Sequence, residues 1–215
     1  MAAAALAMRA IEPRYEILVW LGACAGLRVG EALCLTRVCV GWHEDLLYVQ
    51  EQRQRGKTAP LKTKASYATL PVDHFLIEQL ATHVAHFSEP EPVAQDTARK
   101  RRARGHVEPI DEGLIVTNRY GRPVQGSDFN EKWQRVVARA GLPDRARFHD
   151  LKSFYTSRLG GSGQHDPKTV QSLSRHARFT ETWDTYARPP RIAEGLTVTS
   201  FGQAFHSILR RPNGG

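Results

Sequence analysis

From Pro13 to Ala25 the apolar residues Ile17, Leu18, Trp20, Leu21 and Cys24 recur at helical spacing, and Pro13 suits a first turn. A largely buried helix is expected there, stopped by Gly26. A second helix is expected from about Val29, with Ala32, Leu33 and Leu35 turned inward and Arg28 at its N-terminus. The period then changes. The run Leu46-Leu47-Tyr48-Val49 and the stretch from Ala68 to Val72 read as strands. Between them, QRQRGKTAPLKTKAS has the polar, basic composition of a hairpin projecting from a small antiparallel sheet.

Helical spacing returns at Leu76, Ile77, Leu80 and Val84, in a segment that Asp73 can cap and that runs through Phe87. His83 and His86 form an HxxH on it, but no acidic residue accompanies them at ligand spacing, so no metal site is expected. Residues 88–112 carry prolines and then Arg99, Lys100, Arg101, Arg102 and Arg104, and read as a variable loop. Order resumes at Gly113 to Thr117, turns at Tyr120 to Pro123, and enters a helix capped by Ser127 or Asp128. Its apolar face is Phe129, Trp133, Val136, Val137 and Ala140.

A helix from His149 to Leu159 should bury Leu151, Phe154, Tyr155 and Leu159 and end at Gly160-Gly161. Asp166-Pro167, a cap followed by a first-turn proline, opens another that carries Val170 and Leu173. Thr180 starts a short third one ending at Tyr186, and Pro189-Pro190 blocks its continuation. Residues 191–215 form a last helix and tail, in which Phe201, Ala204, Phe205, Ile208 and Leu209 make one amphipathic stripe. The sum is an α+β fold, mainly helical, with a small antiparallel β-sheet and hairpin, in a single domain over 1–215.

Composition changes this picture in one direction. The 215 residues suffice for a core without staples, and a formal charge of +8 makes a polyanion a natural partner. The cysteines, Cys24, Cys34 and Cys39, are odd in number, sit among apolar residues and lack a CxxC spacing, so they read as reduced core residues of a cytoplasmic protein. The apolar opening MAAAALAMRA is short and runs at once into charge, which excludes a signal peptide and a membrane span.

Candidate chemistry gathers at few places. Arg28, at a helix start, could hold an anion together with backbone N–H groups, with Glu31 three residues on to clamp it; the bland alternative is a surface arginine paired with Glu31. Lys62 and Lys64 lie in the basic hairpin segment, where most lysines are simply solvated. His149, Lys152, His176 and Tyr186 follow in the C-terminal third. A His149-Asp150 hydrolase pair lacks a GxSxG, and the Gly-Gly-Ser-Gly stretch lacks the Gly-Lys-Ser/Thr of a phosphate loop.

Taken in order, AGLRVGEALCL, PLKTKASYATLPV, His149-Asp-Leu-Lys152, Leu173-Ser-Arg-His176 and Thr182-Trp-Asp-Thr-Tyr186 resemble the boxes of the tyrosine recombinases, the phage-integrase family. The resemblance covers nearly the whole chain after the first ten or so residues. It implies a site-specific recombinase or integrase catalytic domain acting on double-stranded DNA without metal or other cofactor. Tyr186 would be the nucleophile, with Arg28, Lys62 (Lys64 the fallback), His149, Lys152 and His176 around the scissile phosphate. It further implies a bacterial, phage or mobile-element origin, and a monomer that forms a tetramer on DNA through its C-terminal helix.

Three departures bear on that expectation. Lys152 stands where the family has an arginine, which keeps the charge, loses the planar fork and should lower the rate. Arg175 replaces the usual glycine before the last histidine, a burden if the backbone there is left-handed. The family's N-terminal core-binding domain has no counterpart in the first ten residues. A catalytically impaired DNA-binding remnant and a type IB topoisomerase are the alternatives.

Overall fold

The computed structural model describes residues 2–54, 57–60, 68–87 and 113–176. Its centre is a helix, α2 (Pro13–Ala25), in which Leu18, Val19, Leu21, Ala23 and Ala25 are wholly buried. A helix apolar on all sides must be covered on all sides. Its neighbours are α1 (Ala2–Ala10), the short α3 (Val29–Ala32), α4 (His74–Phe87) and α6 (Asp150–Gly161). Close approach to α6 depends on Gly22, where an added Cβ would lie 2.9 Å from Leu151 Cδ1.

A 3₁₀ turn (Arg37–Cys39) leads into β1 (Val40–Gly41), β2 (Leu46–Val49), β3 (Glu51–Gln54), β4 (Lys57–Pro60) and β5 (Ala68–Pro71). The sheet order is β1-β2-β5, both pairs antiparallel, with Leu47 facing Val40 on one side and Leu70 on the other. Leu47 and Leu70 are buried, so one face of this small sheet joins the core that α2 and α4 line. β3 and β4 pair separately as a hairpin that starts one residue after β2, with Gln54 opposite Lys57. Lys62 and Lys64 lie outside the described residues.

Two further helices, α5 (Gly126–Arg139) and α7 (Pro167–Ser174), complete the described elements. Phe148 meets both Phe129 and Trp133 edge to face, its ring centred 5.3 Å from Phe129 and 5.4 Å from Trp133. Such pairs add roughly 0.5–1.5 kcal/mol beyond burial. This cluster fixes the chain immediately before His149, and so the point at which α6 begins.

Asp73 caps α4 as expected, its carboxylate accepting from Phe75 N–H at 2.9 Å, and Asp166 caps α7 through Lys168 and Thr169. Four boundaries differ from expectation, the first being the helix from Val29, which ends at Ala32, short of Leu33 and Leu35. The alanine-rich opening forms α1, whose Ala4, Ala5, Ala7 and Met8 are buried, because alanine is the strongest helix former and lets helices approach closely. Helix α5 starts at Gly126 with Gln125 at its cap position, so Ser127 and Asp128 lie inside its first turn. Helix α6 continues through Gly160 and Gly161 to a cap at Ser162; contact with α7 and burial of Gly160 outweigh the weak helix propensity of glycine.

The cysteines are free, Cys24 and Cys34 buried and Cys39 half-buried. His83 is buried, with its Nε2 3.1 Å from the Ile115 carbonyl. Among the described residues no helix is long and apolar enough to cross a membrane. The loop 88–112, the short helix expected from Thr180 to Tyr186 and the stripe from Phe201 to Leu209 lie outside the described residues.

Candidate active site

The site is built where α2 stops. Gly26 turns left-handed there (φ 60°, ψ 29°), and a Cβ on it would come within 2.5 Å of the Tyr155 ring, so only glycine fits. The reversal sends the chain into Leu27-Arg28 and leaves the Gly26 carbonyl facing α6 and the end of α7.

Arg28 sits at the cap position of α3, its side chain 39% exposed. Glu31, buried at 2%, accepts from the Arg28 backbone N–H at 2.8 Å and from Arg28 Nη1 at 2.9 Å. The expected clamp is therefore present, and it takes up the N–H at the helix start that had been expected to face an anion. Burial pushes the Glu31 carboxyl up, but the Arg175 guanidinium, the Arg28 N–H and the Arg28 charge together hold it below the usual carboxylate range.

Lys152, on the first turn of α6, is 2% exposed and points inward. Two of its N–H donors reach main-chain carbonyls, Gly26 at 3.3 Å and Ser174. His149 occupies the cap position of the same helix, its residue surface exposed. Burial and then the charges of Lys152 and Arg28 lower its pKa.

Helix α7 closes with a Schellman motif. Arg175 N–H donates to Ser172 and His176 N–H to Gln171, at 3.0 and 3.2 Å, and Arg175 itself is left-handed (φ 54°, ψ 44°). The strain expected for a non-glycine residue there is present, about 1 kcal/mol. It is answered by the side chain. Arg175 is buried, with Nη1 on Glu31 Oε2 at 2.9 Å and Nη2 on the Gly26 carbonyl at 2.6 Å. His176, one residue on, has its pKa lowered to about 4 by burial and then by Lys152, Arg28, His149 and Arg175. It stays neutral at physiological pH.

Arg28, His149, Lys152 and His176 thus come together, each within electrostatic reach of the others, with Glu31 as the carboxylate among them. Lys62 and Tyr186 lie outside the described residues, and nothing in the structure bears on their placement. Sequence reasoning missed the part played by Arg175. The available signal was a cation directly before His176 and a buried-type carboxylate in the Arg28 box, but their partnership spans 144 residues. Tyr155, the phenol beside this cluster among the described residues, is buried under Gly26 and pushed up to about 12, which makes it a poor nucleophile. Among the described residues no group of three or more His, Cys, Asp or Glu is placed to hold a metal ion.

A helical domain with a small antiparallel sheet, in which a glycine-terminated helix gathers an arginine, two histidines and a lysine from three separate stretches, defines a catalytic domain of the tyrosine-recombinase type. The chain belongs to the phage integrase family, whose model matches residues 2–191. It is 26% identical over 186 residues to a XerC-like tyrosine recombinase of Caldanaerobacter subterraneus subsp. tengcongensis, a match covering 80% of this chain and 45% of that protein. Its fold is similar to the Tn1549 transposon integrase in complex with transposon right-end DNA (TM-score 0.65, 18% identity, 92% of this chain and 58% of that one). It is likewise similar to XerA recombinase (TM-score 0.62, 14% identity, 99% and 64%). The chain spans about half the length of the relatives it matches.

Proposed function

We propose that this chain is the catalytic part of a site-specific DNA recombinase that cuts and rejoins duplex DNA through a 3′-phosphotyrosine at Tyr186. The observation that carries the reading is the gathering of Arg28, His149, Lys152 and His176 within electrostatic reach of one another, in a net-cationic site with a partly exposed guanidinium at its edge. In this scheme Arg28 holds the nonbridging oxygens of the scissile phosphate. The Tyr186 oxygen attacks phosphorus, a P–O(Tyr) bond forms, and the bond from phosphorus to the 5′ oxygen breaks. Lys62 gives that leaving oxygen a proton, and a neutral histidine receives the phenolic one. Religation is the same step in reverse, with the 5′ hydroxyl attacking.

A His176 that stays neutral at pH 7 suits the role of acceptor. With a pKa of about 4 it is a weak base, but the cations that depress it are the ones a phosphate would neutralise. Substrate binding therefore raises its proton affinity when it is needed. Trans docking of the 201–209 stripe into a tetramer on DNA, and residence in the cytoplasm of a bacterium, belong to the same proposal.

A second reading, phosphate-dominated DNA binding without cleavage, is favoured by one feature: the Lys152 ammonium donates inward to two carbonyls. Incubation with a pool of nicked duplexes of randomised sequence separates the two. Strand transfer requires a covalent protein–DNA band on a denaturing gel that vanishes in Tyr186→Phe. Absence of that band at saturating DNA leaves only the binding reading, and its survival in Tyr186→Phe ends the assignment of Tyr186 as the nucleophile.

A further inference from the structure

Arg175 is the least expected cation in the molecule. It holds a backbone conformation that side chains rarely adopt, and it is buried beside Lys152, with the Gly26 carbonyl accepting from both. Its other arm reaches Glu31, whose second oxygen orients Arg28. Arg28 and Arg175 therefore grip one carboxylate from opposite sides, and Lys152 and Arg175 share one carbonyl. The Gly26 carbonyl offers two lone pairs, one to each cation, and Glu31 supplies the counter-charge beside them.

We propose that Arg175 is a positioning residue of the phosphate site that works as a unit with Lys152. Its guanidinium fixes Glu31, and through it the reach of Arg28. It also fills the space beside Gly26 that a longer side chain at position 152 would occupy. A lysine at 152 is then the side chain that fits beside Arg175, since an ammonium reaches the Gly26 carbonyl without displacing the guanidinium already on it. Exchanging Lys152 for arginine alone sets two guanidinium groups against one carbonyl and disturbs the site. Removing Arg175 at the same time vacates the space and relieves the left-handed turn.

The inference rests on the reading of this cluster as a phosphate site, and it does not require strand cleavage to be tested. The probe is inorganic phosphate, titrated into the full chain while the imidazole ¹⁵N resonances of His176 and His149 are followed. Thermal unfolding of each variant runs alongside. Arg175→Gly is expected to weaken phosphate binding roughly tenfold, and Lys152→Arg alone by a similar factor, as for residues in one hydrogen-bonded network. The combination of Lys152→Arg with Arg175→Gly is expected to return to within about threefold of the native chain, and Arg175→Lys to recover part of the loss.

A merely structural Arg175 shifts the melting temperature and leaves the phosphate affinity of the folded protein unchanged. That result overturns the proposal, as does a double variant whose loss is the product of the two single losses. If Arg175→Gly fails to fold, Arg175→Lys and the double variant carry the comparison. Histidine resonances that ignore phosphate in the native chain overturn the phosphate site itself. A response without coupling between 152 and 175 overturns only this inference.

Discussion

Two regions of the molecule pair a buried arginine with a histidine whose pKa is lowered to about 4, and only one of them looks like a site. At one end, Arg14 donates to the Phe87 carbonyl at 2.7 Å and lies over the Phe87 ring, while His83 is buried against Ile115. Burial dominates its depressed pKa, ahead of the opposing bond to Ile115 and the charge of Arg14. A cavity of about 640 Å³ lies beside this pair, lined in part by Arg14, Tyr120 and Lys132. At the other end, Arg175 and His176 stand among Arg28, Lys152, His149 and Glu31. A depressed histidine and a sizeable hollow are common products of packing. What distinguishes the second region is convergence, with two arginines on one carboxylate, a lysine beside them and a half-exposed imidazole at their edge.

The contrast is tested most severely at Glu31. Glu31→Gln leaves the Arg175 guanidinium buried without its counter-charge, and a loss of about 3–5 kcal/mol in urea-unfolding stability is expected. A loss under 1 kcal/mol would show that Arg175 finds adequate partners in carbonyls alone.

Next in size is the effect on chemistry. Arg28→Ala should reduce the rate of covalent adduct formation by about 10²–10³, measured per folded molecule. Arg14→Ala should lower thermal stability and leave that rate within about twofold, as befits an arginine outside the reacting cluster. Equal rate losses in both variants would erase the distinction.

The pH dependence of stability ranks third. Unfolded, both imidazoles titrate near 6.5; folded, at about 4. Between those values the unfolded chain binds more protons, so stability climbs as pH rises from 4 to 6.5 and is level above it. The native-state Glu31 carboxyl, held low, adds a loss in the same direction at still more acid pH. His83→Leu and His176→Asn should each flatten part of this climb in urea titrations from pH 4 to 7. Only His176→Asn should also slow adduct formation.

The smallest effect belongs to the rim of the Arg14 cavity. Lys132 bridges Glu12 at 2.9 Å with both side chains partly solvated, and Lys132→Gln should change stability by less than about 1 kcal/mol. A larger shift would mean that this hollow is held together by more than packing.

Much of this was legible before coordinates. The helix from Pro13 to Ala25, its stop at Gly26, the pairing of Leu46–Val49 with the Ala68 stretch and the Asp166 cap all follow from local signals: period, turn residues and capping chemistry. So did the clamp of Arg28 by Glu31, three residues apart. What escaped was tertiary. Gly160-Gly161 reads as an end because propensity is local, yet contact with the next helix carries α6 through it. Arg175 read as a defect in a glycine position, since a turn signal is visible in sequence and a partner 144 residues away is not. The gathering of Arg28, His149, Lys152 and His176 was inferred from a resemblance, because no spacing rule links positions so far apart.

One peptide oxygen, that of Gly26, serves as a common datum for the side chains of Lys152 and Arg175, which come from two different helices. Any creep in the last turn of α2 is transmitted to both in the same sense, and through Arg175 to Glu31 and Arg28. Misalignment therefore arrives as a block displacement and not donor by donor, and a lesion deep beneath the surface can silence the whole constellation while every member of it remains intact.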